Sequence, residues 1–156
     1  MIILNILLTL LTFLFMEFVA WFMHKYVMHG FLWSWHKDHH QPEPGKVFER
    51  NDRFFLVFAL PSMALMGGGA LNGYPWYFYI GLGILLYGIA YFLVHEVFIH
   101  RRLKWFSRSD NFYLRAIRKA HKVHHKNLGK EQGRNFGMLL VPLKYFREAR
   151  KSRRDG

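Results

Sequence analysis

The 156-residue chain contains no cysteine, which excludes both a disulfide framework and metal ligation by thiolates. Acidic residues are also scarce, with 10 Asp and Glu against 22 Lys and Arg, and the formal net charge is +12. Two stretches, 1–24 and 54–100, lack Lys and Arg entirely, and Glu17 and Glu96 are their only charged side chains. Long apolar stretches between basic segments are typical of membrane spans that follow the positive-inside rule.

The apolar stretches predict three transmembrane helices at about 2–23, 54–71 and 76–94. We interpret the first as a retained span rather than a signal peptide, because no basic segment precedes it and no small-residue cleavage site follows it. The fold class we expect is an all-α integral membrane protein with a cytosolic helical cap. It would form one domain, 1–156, with cytosolic segments at 24–53 and 95–156. Gly81 and Gly88 suggest close helix packing in the third span.

All ten histidines lie in four short clusters at or beyond the ends of the predicted spans. Two clusters have the spacing H-x4-H and two have the spacing H-x2-H-H: His24 and His29; His36, His39 and His40; His95 and His100; His121, His124 and His125. Neutral imidazole is the commonest metal-binding side chain. Ten imidazoles exceed the ligands that one ion accepts, so we expect two metal ions. Structural zinc usually takes four ligands, often thiolates, whereas imidazole-rich sites also suit iron and copper.

The two spacings make different demands on a helix. In H-x2-H-H, positions i, i+3 and i+4 share one helix face, so two or three rings can converge on a metal. In H-x4-H the two rings lie about 140° apart on a regular α-helix, so they cannot bind one ion from it. Either the helix ends or widens there, or each histidine serves a different metal. The stretch from His95 to His100 is also one residue too long for the H-E-x-x-H motif of zinc proteases, which excludes that function.

The segments HKYVMHG, WHKDHH, HEVFIHRR and HKVHH resemble the membrane fatty acid hydroxylase superfamily, and within it the bacterial-type β-carotene hydroxylases. The resemblance covers about residues 10–145. It implies a non-haem centre of two iron ions with all ten histidines as ligands, which uses O2 and two electrons to hydroxylate a C–H bond. The implied reaction takes place at carbon 3 of the β-ionone ring and converts β-carotene to β-cryptoxanthin and then to zeaxanthin.

The resemblance also implies partners and a location. Electrons would come from NAD(P)H through a ferredoxin and its reductase, since the chain has no flavin or nicotinamide motif. The carotenoid would enter from the bilayer, so membrane lipid is a further partner, and homo-oligomerisation is left open. We expect a bacterial cytoplasmic membrane with the metal site on the cytosolic face. The basic C-terminal segment fits the positive-inside rule, so no nucleic-acid partner is expected.

Several polar residues are candidates to support the histidines. Ligating imidazoles usually donate their second N–H to a nearby oxygen, and Asp38, Glu96, Asn127 and Asn135 are the expected acceptors. Glu17 would be costly within a span unless it is paired. It is expected either to pair with a histidine cluster or to lie near an interface.

Two alternative functions remain open at this stage. The same metal chemistry would serve a hydroxylase or desaturase that acts on fatty acyl or sterol substrates. A membrane metal transporter is the alternative of a different class, but transporters place their ligands near the middle of the bilayer. Here every cluster begins at or beyond a span end on one side, which favours an enzyme.

Overall fold

In the computed structural model, which describes residues 1–46, 48–103, 105, 109 and 111–154, every regular element is helical. Six α-helices, two π-helical segments and a short 3-10 turn follow one another: α1 Ile2–Phe22, the first π-helical segment Met23–Phe31, α2 Trp33–His40, the 3-10 turn Arg50–Asp52, α3 Arg53–Leu71, α4 Trp76–Phe92, the second π-helical segment Leu93–Ile99, α5 Phe112–His125 and α6 Leu143–Arg154. No β-strand occurs within the described ranges. The prediction of an all-α fold is confirmed.

Within the part of the chain that the structure describes, three helices are long and apolar enough to cross a membrane: Ile2–Phe31, Arg50–Leu71 and Trp76–Ile99. All three extend beyond the predicted spans 2–23, 54–71 and 76–94. In the first and third, π-helical segments follow α1 and α4 directly, with a kink at Gly30 in the first, and in the second a 3-10 turn precedes α3. That the segments 24–53 and 95–156 lie on the cytosolic side of a membrane stays a prediction. The predicted cytosolic segments 24–53 and 95–156 also include positions 47, 104, 106–108, 110, 155 and 156, which lie outside the described residues.

Helix α4 packs against both α1 and α3. Its glycines allow the close approach. A Cβ on Gly83 would lie 2.6 Å from the Thr12 Cβ of α1, and one on Gly81 would lie 2.8 Å from the Met66 side chain of α3. Gly88, by contrast, has open space around it. The expected role in close packing therefore applies to Gly81 and not to Gly88, and the chain uses Gly83 for the contact with α1.

The remaining elements gather at one end of this bundle. The Asn111 side chain begins α5 by accepting hydrogen bonds from the backbone N–H groups of Tyr113 and Leu114. Helices α5 and α6 then pack through a small buried core of Ala116, Ala120, Tyr145 and Ala149. Helices α2 and α5 both carry an H-x2-H-H motif, and this end of the bundle holds all four histidine clusters.

Candidate metal centre

Nine of the ten histidines converge in two adjoining groups. Within each group the candidate ligand atoms all lie within 4.8 Å of one another. The first group contains His24, His29, His36, His40 and His124, and the second contains His39, His95, His100 and His121. All of them are buried except His100, which is partly exposed. The structure therefore brings residues separated by up to a hundred positions into two compact sets of nitrogen donors.

The π-helical segments explain how an H-x4-H pair reaches one group. Backbone hydrogen bonds in a π-helix join residues five apart, which widens the turn. The bond from the His100 N–H to the His95 carbonyl has this spacing, at 2.9 Å. The ring centroids of His95 and His100 lie 4.5 Å apart, and those of His24 and His29 lie 5.3 Å apart. Of the alternatives left open by the spacing, the structure shows the widened helix, with both histidines of each pair in the same group.

Each H-x2-H-H motif contributes to both groups. In α2, the first and last histidines, His36 and His40, belong to the first group, and the middle one, His39, belongs to the second. In α5 the exchange is reversed, since the middle histidine, His124, joins the first group and His121 joins the second. The middle histidine of each motif thus joins the group opposite to the one that its first histidine joins, and the two motifs do this in opposite senses. As a result, α2 and α5 each supply ligands to both groups.

His125 is the one predicted ligand that lies outside both groups. As the last histidine of its motif it corresponds to His40, and its ring lies against His121 and His100, with centroids 4.5 and 4.9 Å away. Its Nε2 atom is buried and has no hydrogen-bond partner among the described residues. A buried nitrogen without a partner costs free energy unless something binds it. Its ring also stacks on His40 of the first group, with centroids 4.4 Å apart, but three of its four nearest histidine rings belong to the second group, where it would fit as a fifth ligand.

Every histidine of the first group is oriented through its Nδ1 atom by an oxygen acceptor. Four acceptors are main-chain carbonyls of one segment, 127–136, which we call the carbonyl segment. The Nδ1 atoms of His40, His29, His124 and His24 donate to the carbonyls of Asn127, Lys130, Arg134 and Phe136, at 3.0, 3.0, 2.8 and 3.0 Å respectively. The fifth, His36 Nδ1, donates to the Asn51 Oδ1 atom at 2.7 Å. All five acceptors are uncharged.

Two histidines of the second group have carboxylate partners instead. His39 Nδ1 lies 2.9 Å from Glu49 Oε2, and His95 Nδ1 lies 2.5 Å from Glu96 Oε1. A carboxylate that accepts from a ligating imidazole fixes the ring and raises its basicity. The two groups therefore differ in the charge that surrounds them, with neutral acceptors around the first and anionic acceptors beside the second.

The arrangement of protons shows that these groups suit a cation. A carbonyl oxygen only accepts, so each Nδ1 that faces one carries the proton, and the Nε2 of the neutral ring then presents a lone pair. Within the first group the Nε2 atoms of His29, His40 and His124 lie 3.1 to 3.2 Å from one another. Lone pairs that face each other repel unless a positive ion lies between them. Imidazole nitrogens bound to one ion at about 2.1 Å would be about 3 Å apart at a right angle, which matches this spacing.

The electrostatics keep the rings outside the spans neutral. Burial, assisted by neighbouring histidines, lowers the pKa of His40 to about 4 and the pKa of His124 and of His100 to about 3. Burial, with smaller contributions from the neighbouring histidines, holds the pKa of His39 and of His121 well below its usual value. A neutral imidazole is the form that binds a metal. The donor set, with no thiolate and no carboxylate within either group, fits a borderline ion such as iron.

Glu17 does not pair with a histidine cluster, one of the two roles expected from the sequence, and its position relative to a membrane interface stays a prediction. It is buried in α1, and its Oε1 atom accepts the backbone N–H groups of Met138, Leu139 and Leu140 at 2.9 to 3.0 Å. Its Oε2 atom accepts the Tyr87 hydroxyl at 2.7 Å. These bonds tie α1 to the backbone immediately after the carbonyl segment. Glu17 therefore supports the first group indirectly, by holding the backbone next to the carbonyl segment.

Of the four residues expected to accept hydrogen bonds from the histidines, two do so and two have other partners. Glu96 does face a histidine, and Asn127 does so through its main-chain carbonyl rather than its side chain. Asn135 instead binds the Ala120 carbonyl, and Asp38 receives the Arg50 backbone N–H. Sequence reasoning missed the roles of Glu49, Asn51 and Arg102 and the four main-chain acceptors. Main-chain carbonyls leave no signal in a sequence, because every residue has one.

An open pocket of about 240 Å³ reaches the second group. His39, His100, His121 and His125 form its inner wall, and Pro42, Ile99 and Lys122 form the remainder. On the other side, the first group is closed by aromatic rings: Phe136 lies 5.2 Å from the His29 ring and Trp33 lies 5.1 Å from it. The second group is thus the more open of the two.

Comparison with known proteins gives a consistent result. A family model described as fatty acid hydroxylase matches residues 9–146. A β-carotene hydroxylase of Pseudescherichia vulneris is 40% identical over 139 residues, which cover 88% of this chain and 77% of that protein. A β-carotene hydroxylase of Pantoea ananas is 39% identical over 138 residues, covering 88% and 78%. The chloroplastic β-carotene 3-hydroxylase 1 of Arabidopsis thaliana is 39% identical over 130 residues, covering 81% and 41%.

No solved structure matches the chain significantly. The family match covers both π-helical segments, α2 and α5, and so includes all ten histidines. These matches confirm the resemblance seen in the four histidine motifs and the prediction that the protein is an oxygenase enzyme. The chain belongs to the fatty acid hydroxylase family.

Proposed function

We propose that the protein hydroxylates carbon 3 of the β-ionone ring of carotenoids, and so converts β-carotene to β-cryptoxanthin and then to zeaxanthin. The reaction consumes a C–H bond, O2, two electrons and two protons, and yields the alcohol and water. The observation that carries the proposal is the convergence of nine histidines in two adjoining groups, in a chain that is about 40% identical to a bacterial β-carotene hydroxylase. Two iron ions held there would supply the activation of O2.

The residues of the chain would divide the work around such a centre. The five histidines of the first group would hold one iron, and His39, His95, His100 and His121, joined by His125, would hold the other. The Nδ1 partners fix the rings, so little reorganisation is needed when metal binds. The aromatic side chains of Trp33, Tyr91 and Phe136, which lie against the histidines, would keep water from the site.

The membrane placement follows from the same proposal. A C40 hydrocarbon dissolves in the bilayer and not in water, so the centre must be reachable from the apolar helices. We infer that the histidine end of the bundle faces the cytosol of a bacterial cytoplasmic membrane, because the basic residues are concentrated there. The positive surface would also attract an acidic ferredoxin, which delivers the electrons from NAD(P)H.

The test is pigment analysis of cells that accumulate β-carotene and express the chain. We expect β-cryptoxanthin and zeaxanthin with the native chain and neither with His39→Ala. Lys37→Ala is the matched control, since Lys37 is exposed on the same helix, and it should behave like the native chain. Unchanged β-carotene in cells that hold the iron-loaded native protein and a competent electron donor would contradict the proposal. Hydroxylated fatty acyl chains or sterols in those cells would identify the alternative substrate.

A further inference from the structure

One arginine joins both carboxylates that face the second histidine group. The Arg102 guanidinium lies with Nη2 at 2.8 Å from Glu49 Oε2 and Nε at 3.0 Å from Glu96 Oε2. Its Nη1 donates a hydrogen bond of 2.8 Å to Asp52 Oδ1. All three contacts use different nitrogens of one planar group, and the Arg102 side chain is only 27% exposed. A guanidinium presents five donors in a fixed plane, whereas a lysine ammonium is a point charge that cannot reproduce this geometry.

The backbone places Arg102 at this position. The second π-helical segment ends at Ile99, and Arg101 follows with a φ of 57°, in the left-handed region. This turn directs the chain back, so that the Arg102 N–H donates to the Glu96 carbonyl at 2.9 Å. The same residue thus holds Glu96 through its main chain and through its side chain. A left-handed residue just after a helix is a common way for the chain to end it and to satisfy its last carbonyls.

The carboxylates depend on this cation because they are close to one another. Glu49, Asp52 and Glu96 all contact one guanidinium, so without it three negative charges would repel each other in a partly buried site. Glu49 Oε2 is shared, since it contacts both Arg102 and His39 Nδ1. Glu96 Oε1 is bonded to His95 Nδ1, whereas Glu96 Oε2 lies 3.0 Å from Arg102 Nε as an ion pair without hydrogen-bond geometry. Two chains of contacts therefore run from Arg102 to two histidines of the second group.

We propose that Arg102 is a positioning residue that holds Glu49 and Glu96 against the Nδ1 atoms of His39 and His95, and so sets the orientation and basicity of the second histidine group alone. This inference rests on the proposed function in one respect, the presence of iron in both groups. Among the described residues the first group has no contact of this kind, since its acceptors are the carbonyl segment and Asn51. The two irons should therefore be spectroscopically distinct, and a change at Arg102 should alter one of them.

The experiment uses the full-length chain in detergent, loaded with iron-57, and measures Mössbauer spectra and iron retained during dialysis against a chelator. The variants are Arg102→Gln, Arg102→Lys and Glu49→Gln. The matched control is Arg50→Gln, because Arg50 is also paired with a carboxylate, Asp38, but among the described residues that carboxylate binds Arg50 and no histidine ring. Loss of an outer partner typically weakens metal binding about 10- to 100-fold.

We expect one of two Mössbauer components to change in Arg102→Gln and the same component to change in Glu49→Gln. The chelator should remove about half of the iron faster, and Arg102→Lys should restore little. Arg50→Gln should match the native chain. Unchanged spectra and iron retention in Arg102→Gln would overturn the proposal, as would equal changes in both components or loss of the helical fold in Arg102→Gln and Glu49→Gln.

The outcomes also separate this proposal from the function proposed above. A native chain with two distinct irons and no action on β-carotene would remove the carotenoid substrate and leave the role of Arg102 intact. If the native chain hydroxylates β-carotene but both Mössbauer components are unchanged in Arg102→Gln, the proposed function stands and the role of Arg102 is overturned. A native chain that binds no iron would overturn both.

Discussion

Each histidine of the first group uses its two ring nitrogens for different tasks. The Nδ1 atom donates to a fixed oxygen, and the Nε2 atom faces the interior of the group. Four of the five oxygens belong to the carbonyl segment, so the geometry of the group depends on where that segment lies. Glu17 determines this position, because it binds three consecutive backbone N–H groups just beyond Phe136. A residue without any contact to a histidine thereby controls the alignment of several.

Glu17→Gln tests this dependence. The substitution removes the charge and replaces one accepting oxygen with a donor, and hydrogen bonds to charged groups each contribute about 1.5–3 kcal/mol. We expect a lower melting temperature in detergent and a reduced iron content, with the loss from the first group. Glu148→Gln is the matched control, since Glu148 pairs with Lys119 at the surface. A native melting temperature and full iron content in Glu17→Gln would show that the carbonyl segment is held by other contacts.

At the scale of elements, the centre depends on long helices that hold their ends in register. The first π-helical segment continues α1 and the second continues α4, so any shift between α1 and α4 moves His24 relative to His95. These helices are in close contact at Gly83, where a Cβ would meet Thr12 at 2.6 Å and the Thr9 carbonyl at 2.7 Å. Backbone atoms cannot give way there as a flexible side chain would. Packing in the apolar bundle is thus coupled to the geometry of the centre.

Gly83→Ala should therefore destabilise the bundle, by about 1–3 kcal/mol as is typical of an overpacked site. Gly88→Ala lies on the same helix with open space around it, so it should be neutral or slightly stabilising. Thermal unfolding of the two purified variants, followed by circular dichroism, measures the difference. Equal melting temperatures for the pair would contradict the close contact between α1 and α4.

The spacing of the histidines predicts part of the arrangement of the centre, but not all of it. The H-x4-H spacing predicts that a regular helix cannot bring His24 and His29 to one ion, but it does not choose between a widened helix and two separate metals. The widening depends on backbone bonds five residues apart, for which side chains carry no signal. In the same way, the H-x2-H-H spacing places His36, His39 and His40 on one face and leaves open that His39 joins a different group. That division depends on how α2 and α5 lie against each other.

Over the whole molecule, charge and apolar surface are separated along the bundle axis. The far turn, Asn72–Tyr74, is uncharged, whereas the histidine end carries the basic residues of α5 and α6. This separation was predictable because it follows from composition along the chain and needs no tertiary contact. The positions of Glu49 and Asn51 could not be predicted. These residues reach the histidines from the segment between α2 and α3, and that segment has no periodic pattern.

Labelling of introduced cysteines tests the membrane orientation, and the native chain offers no competing thiol. The variants are Asn72→Cys, in the far turn, and Lys151→Cys, in α6; both native residues are exposed. A thiol reagent that cannot cross membranes should label Asn72→Cys in intact cells and Lys151→Cys only after permeabilisation. The reverse pattern would place the histidine end outside the cytosol and contradict the positive-inside interpretation.

The central claim is that the histidines form a centre for two metal ions, and the most direct test is the iron content of the purified native chain after iron loading. Two groups of converging Nε2 atoms predict two irons per chain, with about one lost in His124→Ala, from the first group, and about one lost in His121→Ala, from the second. A native chain that holds a single iron, or none, while retaining its helical fold would contradict the account.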